Sequence, residues 1–294
     1  MTKPTTEPPA GVVVIDKPAG WTSHDVVART RRLAQTRKVG HAGTLDPMAT
    51  GVLVVGVGRA TRLLGYLSGA DKEYLATIVL GASTITDDAE GEVTDTTDAS
   101  AVTETKVLAE LRPLTGQIMQ VPSSVSAIKV DGKRSYARVR SGEEFELAAR
   151  PVEVAEFELL AFRPGERAEA DVRVVCSSGT YIRALARDLG KALGVGGHLS
   201  ALRRTRVGGF GLTLAKTLAE LEKQFGVVPI GEVAKASFES VELPADEAAN
   251  VRFGRRIDVR LSAEGPVAVF APDGEFLALY EAAGDGARPV AVFT

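Results

Sequence analysis

Two hydrophobic periods alternate along the chain. "GVVVID" (Gly11 to Asp16) is a near-continuous apolar run closed by the turn "KPAGW", which predicts a first strand. Val26, Val27, Thr30, Leu33 and Ala34 then recur at helical spacing, predicting an amphipathic helix with Ser23 as its cap and Arg29 and Arg32 on the opposite side. Its end delivers Arg37 and Lys38 into the glycine-rich stretch "GHAGTLDPMATG". "GVLVVGV" (Gly51 to Val57) and "YLATIVLG" (Tyr74 to Gly81) read as buried strands on either side of a helical segment near Ala60 to Leu67. Threonine-rich, acidic sequence from Ile85 to Ser100 reads as an exposed loop, followed by a helix near Glu104 to Arg112 and a strand near Gln117.

Further along, Lys129 to Arg140 is basic and carries an Asp-Gly turn at Asp131 and Gly132, the pattern of a hairpin or projecting finger. "DVRVVCSS" is strand-like. "GTYIRALARDLGKALG" is the clearest helix in the chain, with an apolar stripe of Ile182, Leu185, Ala186, Leu189 and Leu193, and with Arg183, Arg187 and Lys191 on a separate face. Short strands, including "VAVFAPDGEFLALY" with a turn at Pro272 to Gly274, close the chain as a small β domain. No repeat of solenoid period is present.

Composition sharpens this outline. The 294 residues are 45% apolar and 25% charged, with 30 glycines and 14 prolines, as in a globular α/β protein large enough for one main domain and a small companion. Residues 1–10 carry three prolines without periodicity and read as a disordered tail. No apolar run reaches the length of a signal core or membrane span, so a cytoplasmic address is expected. One cysteine, Cys176, excludes an internal disulfide, and three histidines argue against a metal cage. The net charge of −3 hides local segregation: cations gather in Arg29 to Lys38, Lys129 to Arg140 and Leu202 to Arg206, and acids in Asp87 to Asp98 and Glu220 to Glu247. One basic face meeting a phosphate backbone is the functional reading, against ordinary solvated helix faces.

Asp46 stands in a loop just before a buried strand. Asp-Pro is a common turn former, and this aspartate could be no more than that. Its neighbours add chemistry: Gly40, Gly43 and Gly51 allow close backbone approach to a ligand, His41 offers a ring, and Arg37 and Lys38 stand upstream. A carboxylate is ionised at neutral pH, more so beside an arginine, which makes it a nucleophile or cation stabiliser rather than an acid. That suits chemistry at a glycosidic carbon. A hydrolytic glycosidase needs a second carboxylate, and none is evident nearby in the sequence. "SHD" at Ser23 to Asp25 is better read as a helix cap than as a triad, and "GVGRAT" and "GVGGH" lack the spacing of a nucleotide-binding loop. Tyr74, Tyr181 and Arg183 add aromatic rings and a guanidinium, the parts an enzyme acting on a flipped nucleobase in folded RNA needs.

From about Gly11 to Lys216 the chain closely resembles the TruB family of tRNA pseudouridine(55) synthases. The motifs "DKPAGWTSHD", "KVGHAGTLDPMATGVLVVGVGRATR", "DKEYLATIVLG", "SAIKVDGKR", "CSSGTYIRALARDLG" and "LRRTRVGGF" occur in the family's order. The resemblance implies a mixed, largely antiparallel α/β (α+β) sheet flanked by helices, spanning residues 11–235, with a small PUA-like RNA-binding β domain over 236–294. It implies that Asp46 is the catalytic aspartate, that Tyr74 lies against the target base and that Arg183 pairs with Asp46. His41 would fill space opened when T-loop nucleotides flip out, with Lys17 and Tyr181 lining the same pocket and Lys129, Arg37 and Lys38 contributing to RNA binding. Ile85 stands where the family often has aspartate, and Ser123 and Val125 where it often has proline and an aromatic. The implied reaction, isomerisation of a T-loop uridine, uses no cofactor and no metal, with a tRNA T stem-loop as partner and a monomer as the working form. Two other functions remain open to the sequence: a tRNA-binding and folding factor, and a guide-dependent pseudouridine synthase. A nucleoside hydrolase is a third, weaker option.

Overall fold

The computed structural model describes residues 10–123, 129–130, 133–134, 147–261 and 265–294. Its frame is one large sheet. The strands β1 (Gly11–Lys17), β2 (Val39–Ala42), β3 (Thr50–Val57) and β4 (Lys72–Leu80) come first, then a two-stranded ribbon of β5 (Ala82–Thr84) and β6 (Val93–Thr96). β7 (Gly116–Gln120) precedes a second ribbon, β8 (Lys129–Val130) and β9 (Lys133–Arg134). The long strands β10 (Arg150–Arg163), β11 (Glu169–Cys176) and β12 (Gly197–Val207) follow, then the short β13 (Phe210–Gly211) and β14 (Val228–Pro229). The order across the sheet is β14-β1-β3-β12-β4-β11-β10-β7, with β2 added on β3 and β13 on β12. Every pairing is antiparallel except β3 with β12, where Thr50 and Gly51 lie beside Arg203 and Arg204.

That parallel junction depends on one glycine. Gly51 has φ +98, and a Cβ there would sit 2.2 Å from the carbonyl oxygen of Arg204. Both the left-handed backbone and the contact demand glycine.

Helices cover the sheet where its alternating apolar positions need burial. α1 (Ser23–Leu33) packs Val26 and Val27 on Val13, Ile15, Leu53 and Val55. After a short 3₁₀ helix at Gly58–Leu63 comes α2 (Leu64–Ser68), and later α3 (Glu104–Leu111). α4 (Ile182–Ala192) buries Ile182, Leu185, Ala186 and Leu189, the stripe expected from the sequence, against β4, β11 and β12. α5 (Leu218–Lys223), α6 (Ile230–Ser237) and α7 (Ala245–Arg252) lead into the last strands. β15 (Ser240–Glu242), β16 (Val267–Phe270), β17 (Phe276–Ala283) and β18 (Gly286–Val292) form the separate C-terminal sheet, with the expected turn at Pro272 to Gly274. This small sheet is not detached. Ala268, Phe270, Phe276, Leu279 and Phe293 share a core with Val12, Val14, Val52 and Val54 of the large sheet, and Arg59 and Arg62 donate to the carbonyls of Phe293 and Val292 at 2.6 Å. The boundary expected after residue 235 falls within the last turn of α6.

Two expectations are corrected. The cap of α1 is Thr22, whose hydroxyl accepts from the Asp25 amide while the Asp25 carboxylate accepts from the Thr22 amide; Ser23 is left free for another task. The stretch from Ile85 to Ser100 is only partly an exposed loop: β6 pairs with β5, and Asp87 and Asp88 are buried because arginines meet them. The arginines are Arg183 and Arg187 of α4, Arg183 being 5% exposed. Among the described residues no helix is long and apolar enough to cross a membrane.

Candidate active site

Asp46 sits in the loop between β2 and β3, and the first residue of α1 together with the segment before it holds that loop from below. The Ser23 hydroxyl accepts from the Leu45 amide at 2.9 Å and donates to the Leu45 carbonyl at 3.1 Å. The fully buried Lys17 ammonium donates to the carbonyls of Pro18 (2.9 Å), Trp21 (2.6 Å) and Pro47 (3.1 Å), and the Gly20 amide reaches Pro47 as well. Burial lowers the Lys17 pKa to about 8. The backbone on both sides of Asp46 is therefore pinned, while its side chain remains 37% exposed.

From α4, Arg183 reaches back to this carboxylate, Nε to Oδ2 at 3.1 Å. The guanidinium also faces Asp88 Oδ2 at 3.3 Å and donates to the Thr86 carbonyl at 2.9 Å. Asp88 is locked in turn by the Thr86 hydroxyl (2.6 Å) and the Glu90 amide (3.1 Å). One buried cation thus serves a buried carboxylate on one side and a solvent-facing one on the other. Glu90 is exposed, and its carboxyl is raised by desolvation and then by the charges of Asp88 and Asp46, so a second carboxylate does lie within electrostatic range of Asp46.

The pocket beside Asp46 has a volume of about 270 Å³ and is walled by Tyr74, Tyr181, Arg183, Lys72 and Arg204. Tyr74 projects from β4 and is 7% exposed. Burial raises its phenol, with Arg204 pulling the other way, so it enters the pocket as a neutral hydroxyl. Tyr181 precedes α4 and is gripped through its backbone: Gln120 Oε1 accepts from its amide at 2.8 Å and Gln120 Nε2 donates to its carbonyl at 3.1 Å. Among the described residues no three His, Cys, Asp or Glu side chains gather to hold a metal ion.

Of the residues singled out from sequence, Asp46, Tyr74, Tyr181 and Arg183 therefore meet in one pocket. Lys17 lies under the loop rather than on the pocket wall, because three carbonyls hold its ammonium there. His41 lies on β2, edge-on to His24 at 5.7 Å, and burial pushes its imidazole down. Arg37 and Lys38 are exposed between α1 and β2. Lys129 pairs with Arg134 in the β8–β9 ribbon, as a hairpin there requires; its side chain and the Asp131–Gly132 turn lie outside the described residues.

Sequence reasoning passed over Lys72, Asp88, Gln120 and Arg204. Lys72 had a usable signal, since it stands two before Tyr74 on one strand and so shares its face. Arg204 was hidden in a basic cluster. In the structure two members of that cluster are paired internally, Arg203 with Asp16 at 2.8 Å and Arg206 with Asp71 at 2.7 Å, while Arg204 is buried at 1% exposure. Arg29 likewise pairs with Glu222.

Comparison with known proteins agrees with this geometry. Residues 31–182 match the model of the TruB family pseudouridylate synthase N-terminal domain. Residues 183–248 match a tRNA pseudouridylate synthase B C-terminal domain, and residues 238–294 a tRNA pseudouridine synthase II C-terminal domain. The tRNA pseudouridine synthase B of Arthrobacter sp. (strain FB24) is 59% identical, over 97% of this chain and 96% of the relative. That of Streptomyces griseus subsp. griseus is 56% identical over the whole of both. Among solved structures, a chain of an H/ACA RNP bound to a substrate RNA containing 2'-deoxyuridine superposes with a TM-score of 0.71 at 27% identity, covering 97% of this chain and 85% of that one. A chain of a Cbf5-Nop10-Gar1 complex superposes with a TM-score of 0.72 at 27% identity, covering 100% of this chain and 91% of that one. With near full-length identity above one half to tRNA pseudouridine synthase B, and an aspartate–arginine pair at the mouth of its pocket, this chain belongs to the TruB family of pseudouridine synthases.

Proposed function

We infer that this protein is an isomerase that converts uridine 55 in the T loop of tRNA to pseudouridine. The observation that carries the reading is the Asp46–Arg183 pair at 3.1 Å on a pocket walled by Tyr74 and Tyr181, in a chain 59% identical to a tRNA pseudouridine synthase B. The target is a uridine that must leave the stacked loop before anything can reach its glycosidic bond, at a cost of a few kcal/mol. In this reading Tyr181 and Tyr74 enclose the extruded base, and Asp46 is the anion that meets the electron-poor centre. Arg183 aims the carboxylate. The N1–C1′ bond breaks, C5 takes C1′, the C5 proton is lost and N1 gains one. The product is an isomer of the substrate with no net redox change.

His41, Arg37 and Lys38 are read as RNA contacts around the pocket mouth, with Lys129 on the ribbon beyond. Lys17 serves by holding the Asp46 loop. In the C-terminal sheet domain, read as PUA-like, Phe253 is 75% exposed with the Arg255 guanidinium 5.2 Å from its ring, an aromatic–cation pair suited to stacking on a base. The working form is read as a monomer. The deciding experiment is tritium release from an unmodified tRNA transcript labelled at uridine C5, with the modified position mapped. Wild type should release tritium at the T-loop uridine unaided and Asp46→Asn should not, while both bind tRNA. Tight binding without release would turn the assignment to a folding factor or a guide-dependent enzyme, and free uracil would turn it to a hydrolase.

A further inference from the structure

Two of the pocket walls are buried cations with no counter-ion among the described residues. Lys72 is 6% exposed and Arg204 1%, and neither forms an ion pair with any described residue. Arg204 puts three of its five N–H donors on backbone carbonyls: Nε on Val52 (2.7 Å), Nη2 on Gly43 (3.0 Å) and Nη1 on Thr44 (3.4 Å). Lys72 Nζ donates to Ser68 (3.0 Å) and Ala70 (2.6 Å), which leaves one of its three N–H groups uncommitted among the described residues. Gly43 shows how closely the two side chains converge, since a Cβ there would lie 3.4 Å from Arg204 Nη1 and 3.5 Å from Lys72 Cε.

The groups around Lys72 do not neutralise it. Asp71 is held by Arg206, Cys176 on β11 is a thiol pushed up to about 11 by burial, and Tyr74 is a neutral phenol. An ammonium withdrawn from water with only carbonyl partners is costly, and burial lowers its pKa to about 8. Lys72 and Tyr74, two apart on β4, point into the same pocket.

We propose that Lys72 is a catalytic residue of the isomerisation, its free N–H stabilising the negative charge that builds on the uracil when the glycosidic bond breaks. This rests on the pseudouridine synthase reading above. The electron pair of the N1–C1′ bond passes to the uracil, where O2 and O4 share it, until C5 bonds C1′ and gives up its proton while N1 takes one. Asp46 faces the electron-poor sugar carbon, and Lys72 the electron-rich base. Lys72 keeps its proton throughout. Arg204, with three of its five N–H groups held by backbone carbonyls, contributes a fixed positive background.

The test is Lys72→Gln, which retains a donor for the Ser68 and Ala70 carbonyls and removes the charge. Single-turnover conversion of the tRNA transcript should fall ~10²- to 10³-fold, as on loss of one oxyanion donor, with the Kd for tRNA changed less than about threefold. A second substrate separates chemistry from structure. With 5-fluorouridine at the target position, followed by nucleoside analysis, the departing base is a weaker base and needs less help, so the variant's deficit should shrink about tenfold or more. A deficit equal on both substrates, a rate within threefold of wild type, or a loss confined to tRNA binding would overturn the proposal. Should Lys72→Gln fail to fold, Lys72→Met is judged by the same two ratios. Failure of the wild type to release tritium would instead sink the functional assignment itself.

Discussion

Arg183→Met separates what the aspartate–arginine network does for the fold from what it does for the reaction. The guanidinium meets two carboxylates of opposite character: Asp88, whose side chain is 4% exposed, and Asp46, at 37%. Removing one partner of a buried ion pair costs about 3–5 kcal/mol. Asp88 keeps the Thr86 hydroxyl and the Glu90 amide, which places its share at the lower end, about 3 kcal/mol. Asp46 is solvated enough that its share of stability is about 0–1 kcal/mol. The stability loss therefore arises almost wholly at Asp88 and the catalytic loss at Asp46. Adding Asp88→Asn to Arg183→Met removes the stranded charge, so the double variant should regain most of the urea resistance without regaining tritium release. Urea unfolding and single-turnover assays on the two variants and wild type form the measurement. Unchanged stability in Arg183→Met, or turnover restored by Asp88→Asn, would refute the division of labour.

Other perturbations test the surrounding scaffold. Ser23→Ala deletes both hydrogen bonds to Leu45 but leaves the Thr22–Asp25 cap intact; kcat should fall more than tRNA affinity, with a stability cost of about 1–3 kcal/mol, read from kinetics and urea midpoints. Gly51→Ala should yield poorly soluble or strongly destabilised protein, because its Cβ meets the Arg204 carbonyl; a melting temperature within a few degrees of wild type would contradict this. The double change Arg37→Ala, Lys38→Ala should weaken tRNA binding for all sequences and flatten the dependence of affinity on salt by about 2 in log–log slope, with no change in unfolding. Lys17 and Lys72, each lowered to about 8 by burial, release protons in the folded chain before the unfolded chain does. Between pH 8 and 10.5 the unfolded state then binds more protons, so their contribution to stability rises with pH; urea midpoints from pH 7.5 to 9.5 should rise less in Lys72→Gln than in wild type.

How much of this was legible depended on whether a residue's neighbours lay close in sequence. β1, β3, β4, β11, α1 and α4 were readable because each carries its own period, and Asp46, Tyr74, Tyr181 and Arg183 because their motifs name them. Partnerships across the chain were not. Nothing local in Asp87 and Asp88 says that α4, nearly a hundred residues later, supplies their arginines, so an interior pair was read as an acidic loop. The same blindness inverted "LRRTR", where strand alternation sends Arg204 inward and Arg203 toward Asp16, and an irregularity in the strand between Arg204 and Arg206 leaves Arg206 on Asp71. Gln120 offered no signal, because its task is to satisfy the backbone of a residue sixty-one positions away.

The core that the C-terminal sheet shares with β1 and β3 has a consequence for how the molecule comes apart. Phe270, Phe276 and Phe293 are the cover of a surface whose other half is Val12, Val14, Val52 and Val54. Unfolding the small sheet would wet the same strands that carry Lys17 and border the Asp46 loop, so the two sheets form one cooperative unit rather than two foldons. A copy cut short before Phe293 lacks part of the seal over its own first strand, so loss of the last residues should be felt as exposure of β1 to solvent.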